Sequence, residues 1–141
     1  MINELLKIKY FEIKRLCINI MPVIEIKTVE EFESVMSIPD FMPTSYVFID
    51  FYATWCGPCK KIAPFITELS NIYDCMIFIK IDIENIPKLS ELYNIRAMPT
   101  FIILRQGNLQ PVCPPIVGAD INVIKKTLEL LIKTKNIGKD F

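Results

Sequence analysis

Histidine is missing altogether from this 141-residue chain. Every mechanism that rests on an imidazole, from a Ser/His/Asp triad to a His-ligated metal, is excluded with it. A charge surplus is missing as well: 16 Lys+Arg balance 16 Asp+Glu, and the sequence pI is near 6.3. The basic footprint of a nucleic-acid binder is therefore absent. No apolar run reaches the ~18 residues that a membrane-spanning helix needs, so no membrane association is expected. A full set of cysteine partners is also lacking. Five cysteines cannot all pair within one chain, which makes a secreted disulfide scaffold a poor reading. A reducing compartment with one or two working thiols is the better one, and the cytoplasm is the expected location.

What is present is a chain 52% hydrophobic and 23% charged, enough to bury a core and too apolar for overall disorder. Its length fits one domain. Residues 1–21 stand apart from the rest: Lys7, Lys9, Lys14 and Arg15 are interleaved with Ile and Leu, and a short apolar stretch follows, broken by Asn19 and Pro22. A secretory signal would carry a small-residue cleavage site, and a transit peptide would be acid-poor and Ser-rich. Neither description fits, since Glu4 and Glu12 are present and serine is not. Residues 1–21 are read as a loosely docked N-terminal extension, with organelle targeting left open and with both Met1 and Met21 as candidate starts. Residues 22–141 form the single domain.

Within that domain the pattern is regular. Residues 23–27 alternate apolar and polar, as a half-buried strand does. Thr28 and Glu31 make a capping-box start for a helix whose apolar face is Val29, Phe32, Val35 and Met36. Residues 39–45 carry loop signals. Residues 46–53 are almost continuously apolar, as expected of a strand buried on both faces. A helix is expected over 59–73 with Pro64 inside it, then a strand over 76–83 and a short helix over 85–93. A strand over 100–105 ends at Gln106-Gly107-Asn108, and residues 112–117 are strand-like but interrupted by Pro114 and Pro115, which demotes them to an edge. Asp120 caps a last helix with Ile121, Ile124, Leu128 and Leu131 on one side. The order βαβαβαββα implies an α/β fold, a central mixed sheet flanked by helices on both faces.

The strongest chemical signal is Trp55-Cys56-Gly57-Pro58-Cys59. A Cys-x-x-Cys pair is either half of a zinc site or a redox pair. Structural zinc needs four ligands, and no second closely spaced pair exists, because Cys17, Cys75 and Cys113 are scattered singly. No metal or other cofactor is expected. At the start of a helix the two sulfurs fall within one turn, close enough to bond to each other. Cys56 then lies where unpaired N–H groups and the helix dipole favour a thiolate. Pro58 occupies the first turn, where its missing N–H costs little, and Cys59 is expected to be more buried and to act second. Asp50 is an acid in the middle of an apolar strand, so it must be paired, hydrogen-bonded or neutral. It is either a structural aspartate or, with its pKa raised by desolvation, the group that exchanges a proton with Cys59.

The segment from Phe51 to Lys60 resembles the active-site segment of the thioredoxin family, and Asp50, Met98-Pro99-Thr100 and Val117-Gly118-Ala119 match further family elements at the expected separations. The resemblance covers about residues 22–135. It implies the thioredoxin fold and a thiol–disulfide oxidoreductase that reduces disulfides in target proteins through a Cys56–Cys59 cycle, recharged by an NADPH-dependent thioredoxin reductase, and a monomer is expected. It implies that Met98–Pro99 is cis and lies against Cys56. It also implies that Lys80, on the adjacent strand, modulates Asp50, although Lys80 is equally an ordinary strand-end lysine. Trp55, Gly57, Pro58, Ile83, Ala97, Met98, Val117, Gly118 and Ala119 would form the target-binding surface, with Met98 offering its backbone to an extended segment. The Gly-Pro pair between the cysteines favours a reductant. Cys17, Cys75 and Cys113 are read as bystanders. The competing reading is a redox-inactive binding module of the same fold, held in a complex.

Overall fold

The computed structural model describes residues 23–37, 46–73 and 76–137. The extension of residues 1–21, the loop at 39–45, Cys17 and Cys75 lie outside the described residues. Within them the elements run β1 (Ile24–Ile26), α1 (Val29–Met36), β2 (Tyr46–Tyr52), α2 (Gly57–Ile72), β3 (Met76–Asp82), α3 (Pro87–Leu92), β4 (Thr100–Arg105), β5 (Asn108–Pro111), β6 (Ile116–Val117) and α4 (Ile121–Ile137). The sheet order is β1-β3-β2-β4-β5, with β6 also on β4. β1 and β2 run parallel to β3, whereas β4 is antiparallel to β2, β5 and β6. The sheet is therefore mixed, as the strand–helix alternation implies.

Each central strand is buried on both faces, and its two residue sets feed two separate cores. Val47, Ile49 and Phe51 of β2 point with Ile77, Ile79 and Ile81 of β3 toward α1 and α3, where Phe32, Val35, Met36 and Leu89 close the layer. Phe48 of β2 and Phe78 of β3 point the other way, onto Ile62, Ile66 and Leu69 of α2 and Ile124 and Leu128 of α4. The Phe48 ring lies 4.8 Å from that of Phe78 and 5.4 Å from that of Phe101. Burial of each such side chain contributes about 1.5–3 kcal/mol. Asp50 falls on the α2 side by strand alternation alone, two residues beyond Phe48.

α2 forms because Cys59, Ile62, Ile66 and Leu69 recur at helical spacing and are buried. Pro58 sits in its first turn and Pro64 inside it, with Pro64 on the exposed side. α1 opens on Thr28, whose Oγ1 accepts from the Glu31 N–H at 3.1 Å. The Glu31 carboxylate accepts in turn from the Lys27 N–H at 2.7 Å, one residue earlier than a standard capping box.

The outer edge of the sheet departs from the sequence expectation. In place of one strand over 112–117 there are two short ones: β5 begins directly after the Gln106-Gly107 turn, and β6 is only Ile116–Val117. Gly107, at φ +81°, makes the turn tight enough for β5 to fold back at once. Pairing slips between Leu104 and Arg105, and Pro114 and Pro115 then supply no N–H to continue it.

Candidate active site

Strand β2 runs straight into the site. The Cys56 N–H donates to the Ala53 carbonyl at 3.1 Å, closing a turn that sets Cys56 at the head of α2. Cys56 is the N-cap: its Sγ accepts from the Cys59 N–H at 3.2 Å, the place where a thiolate gains from the helix dipole and free backbone donors. Cys56 and Cys59 form a disulfide, with Cα atoms 5.3 Å apart. Both cysteines are buried, Cys59 no more deeply than Cys56, so the expected difference in burial is absent in the disulfide form. They pack with Ala53, and Tyr52, Ile83 and Met98 lie against them.

Met98–Pro99 is a cis peptide, and Pro99 is buried at the start of β4. Its carbonyl accepts from the Gly118 N–H at 2.8 Å, which ties the 97–99 turn to the turn before α4. Gly118 has φ +96°, a conformation glycine adopts without steric cost. Of the residues expected to receive a target, Trp55 and Val117 are 63% and 64% exposed. Gly57, Pro58, Ala97 and Ala119 are also exposed, whereas Ile83, Met98 and Gly118 are half-buried. The Trp55 indole N–H donates to Glu84 Oε1 at 2.7 Å. Glu84 belongs to the turn after β3 and carries no sequence signal that would have singled it out.

Asp50 is 6% exposed, and its Oδ1 has no hydrogen-bond partner. Burial raises its pKa from 3.8 to about 7, with Lys80 pulling the other way. Asp50 and Lys80 are register partners across β2 and β3. Both line a cavity of about 370 Å³ together with Tyr52, Ala53, Thr54, Cys59, Lys60 and Ala63. The buried acid and the second cysteine thus share one small chamber. Cys113 is a half-buried free thiol whose pKa burial raises. It packs against the α2–α4 core.

A sulfur pair that closes reversibly on itself, with a group beside it able to hold or release a proton near neutral pH, has thiol–disulfide exchange as its natural chemistry. Comparison with known proteins agrees. The Thioredoxin family model matches residues 20–129. Thioredoxin 1 of Plasmodium falciparum is 38% identical over 99 residues, spanning 70% of this chain and 88% of that protein. Thioredoxin-1 of Saccharomyces cerevisiae is 35% identical over 106 residues, 75% of this chain and 95% of that one. The solved structure of a poplar thioredoxin h superposes with a TM-score of 0.71 at 35% identity, covering 78% of this chain and 96% of that chain. The chain belongs to the thioredoxin family. It is a thiol–disulfide oxidoreductase of the protein-disulfide reductase kind, acting on disulfide-containing targets.

Proposed function

We propose that Cys56 is the attacking sulfur, Cys59 the resolving sulfur and Asp50 the proton acceptor in the reduction of target disulfides. The observation that supports this most is the shared chamber of Asp50 and Cys59 behind a disulfide at a helix start. In the reduced protein the Cys56 thiolate attacks one sulfur of the target disulfide and expels the other as a thiolate, which water protonates. Asp50 takes the proton of the Cys59 thiol. The Cys59 thiolate then attacks Cys56 Sγ, the second target sulfur leaves with the electron pair, and the Cys56–Cys59 bond closes. Pro99 carries the cis bond next to Met98, which packs on the sulfurs, and Lys80 moderates the charge on Asp50. Trp55, Gly57, Pro58, Ile83, Ala97, Met98, Val117, Gly118 and Ala119 form the surface that receives an extended target segment. An NADPH-dependent reductase returns the two electrons, and the protein works as a cytoplasmic monomer. Among the described residues no helix is long and apolar enough to cross a membrane. No observation favours the redox-inactive binding module, since Cys56, Cys59, Asp50 and Pro99 are all in place.

Reduction of insulin by dithiol tests the assignment. Cys56→Ser is expected to abolish turnover, and Cys59→Ser to accumulate mixed disulfides with the target, visible on non-reducing gels. Parent-like turnover by Cys59→Ser would overturn the division of labour between the sulfurs.

A further inference from the structure

A lysine side chain is long and rich in rotamers, so a place on the strand beside Asp50 does not by itself keep its ammonium there. The sheet supplies what does. Glu25 of β1 is the register partner of Lys80, and Lys80 is the register partner of Asp50. Glu25, Lys80 and Asp50 therefore form one row across β1, β3 and β2 with their side chains on a common face, which continues as the apolar Phe101 of β4 and Ile116 of β6. Tyr52 lies two residues beyond Asp50 on that same face. The Lys80 Nζ stands over the Tyr52 ring, 5.5 Å from its centroid, within cation–π range. The Tyr52 hydroxyl donates to Glu25 Oε1. The ring is thus anchored at its tip by β1 and presents its face to the cation of β3. Lys80, Tyr52, Asp50 and Cys59 all open onto the one chamber.

We propose that Tyr52 and Glu25 are positioning residues for the proton exchange between Asp50 and Cys59: the Tyr52 ring, anchored by Glu25, holds the Lys80 ammonium at the chamber and so sets the pH at which Asp50 ionises. The two act with opposite sign. Tyr52 keeps the cation close to Asp50 and favours the carboxylate. Glu25 is a second anion in the row that competes for that cation and disfavours it. The other titratable groups at the chamber are Cys59 and Lys60 from α2, Asp82 farther along β3 acts on Tyr52, and the register partner of Asp50 on β4 is the uncharged Phe101. The inference rests on the role given to Asp50 above and adds the residues that tune it.

The oxidised protein isolates the effect, because neither Cys56 nor Cys59 titrates there. The Asp50 carboxyl carbon is followed by NMR against pH in protein labelled at aspartate. Lys80→Met is expected to raise the midpoint by about one pH unit, and Tyr52→Leu to raise it by less. Tyr52→Phe keeps the ring but cuts its tie to Glu25, and its midpoint is expected to fall between those of the parent and Tyr52→Leu. Glu25→Gln is expected to lower it by a few tenths, an effect that salt weakens because Glu25 is exposed. In a Lys80→Met background Tyr52→Leu is expected to add nothing. An unmoved midpoint in Tyr52→Leu, an equal shift with and without Lys80, or a rise in Glu25→Gln would overturn the proposal. Glu25→Gln, at an exposed position, keeps the test open if Tyr52→Leu does not fold. Failure of the functional reading registers separately, as parent-like insulin turnover in Asp50→Asn.

Discussion

Asp50 stands out in the sequence because one charge interrupts an apolar run, and its burial carries a cost that depends on pH. Its folded pKa of about 7 lies above the ordinary 3.8. Below pH 4 it is protonated whether the chain is folded or not, and no penalty exists. Between pH 4 and 7 the unfolded chain releases the proton while the folded one keeps it, so stability falls as pH rises. The loss is on the order of 4 kcal/mol and levels off above pH 7. Asp50→Asn is expected to abolish this decline, so that urea midpoints of the two proteins converge near pH 4 and diverge at pH 8 in favour of Asn. Insulin turnover is expected to fall in the same variant. Trp55 gives a second test. It adjoins Cys56 in sequence and its indole is held by Glu84, so opening the disulfide, a quencher, is expected to raise its emission in a dithiol titration. Glu25, Tyr52 and Glu84 were not legible as site residues. Their partners are fixed by strand register and by a turn, neither of which leaves a local pattern.

Elements were legible where periodicity and capping coincide. The Thr28 and Glu31 pair marks the start of α1 in the sequence and caps it in the fold. Thr28→Ala is expected to cost about 1 kcal/mol in urea unfolding while leaving insulin turnover unchanged, since α1 packs on the face away from the disulfide. The last strands were misread for an identifiable reason. Asn108, Leu109, Gln110 and Pro111 are all exposed and show no alternation, whereas Val112 and Ile116 do look like core. Their place is set by a hairpin turn and by pairing with β4, not by burial. The start of α2 shows the opposite case: the Cys-Gly-Pro-Cys sequence dictates cap, first turn and disulfide together, so its position is readable to within two residues.

For the molecule as a whole, the regular apolar pattern of the domain begins at Val23, and the family match begins at residue 20. Removing residues 1–21 is accordingly expected to leave insulin turnover and the thermal unfolding midpoint nearly unchanged. Differential scanning calorimetry of the two lengths checks this, and a fall of many degrees would show that the extension packs on the core. The redox midpoint belongs to this scale too. Family membership sets the expectation at about −270 mV, a value carried over from thioredoxins at large, clearly below the about −180 mV of disulfide isomerase. Titration of Trp55 emission against a glutathione or dithiol buffer measures it.

The broken outer border of the sheet has a bearing on how such a molecule behaves in a crowd. A carrier of electrons meets many partners and has to let each of them go. An uninterrupted border strand would present a ladder of unpaired donors and acceptors on which any loose chain, including another copy, could zip up. Here β5 covers one end of β4 and β6 the other, and Pro111 at the end of β5 and Pro114 and Pro115 in the intervening stretch have no amide hydrogen to offer. At the opposite border β1 is three residues long. Among the described residues a visiting strand therefore finds no long seam to adhere to at either side, which favours short-lived encounters away from the sulfurs.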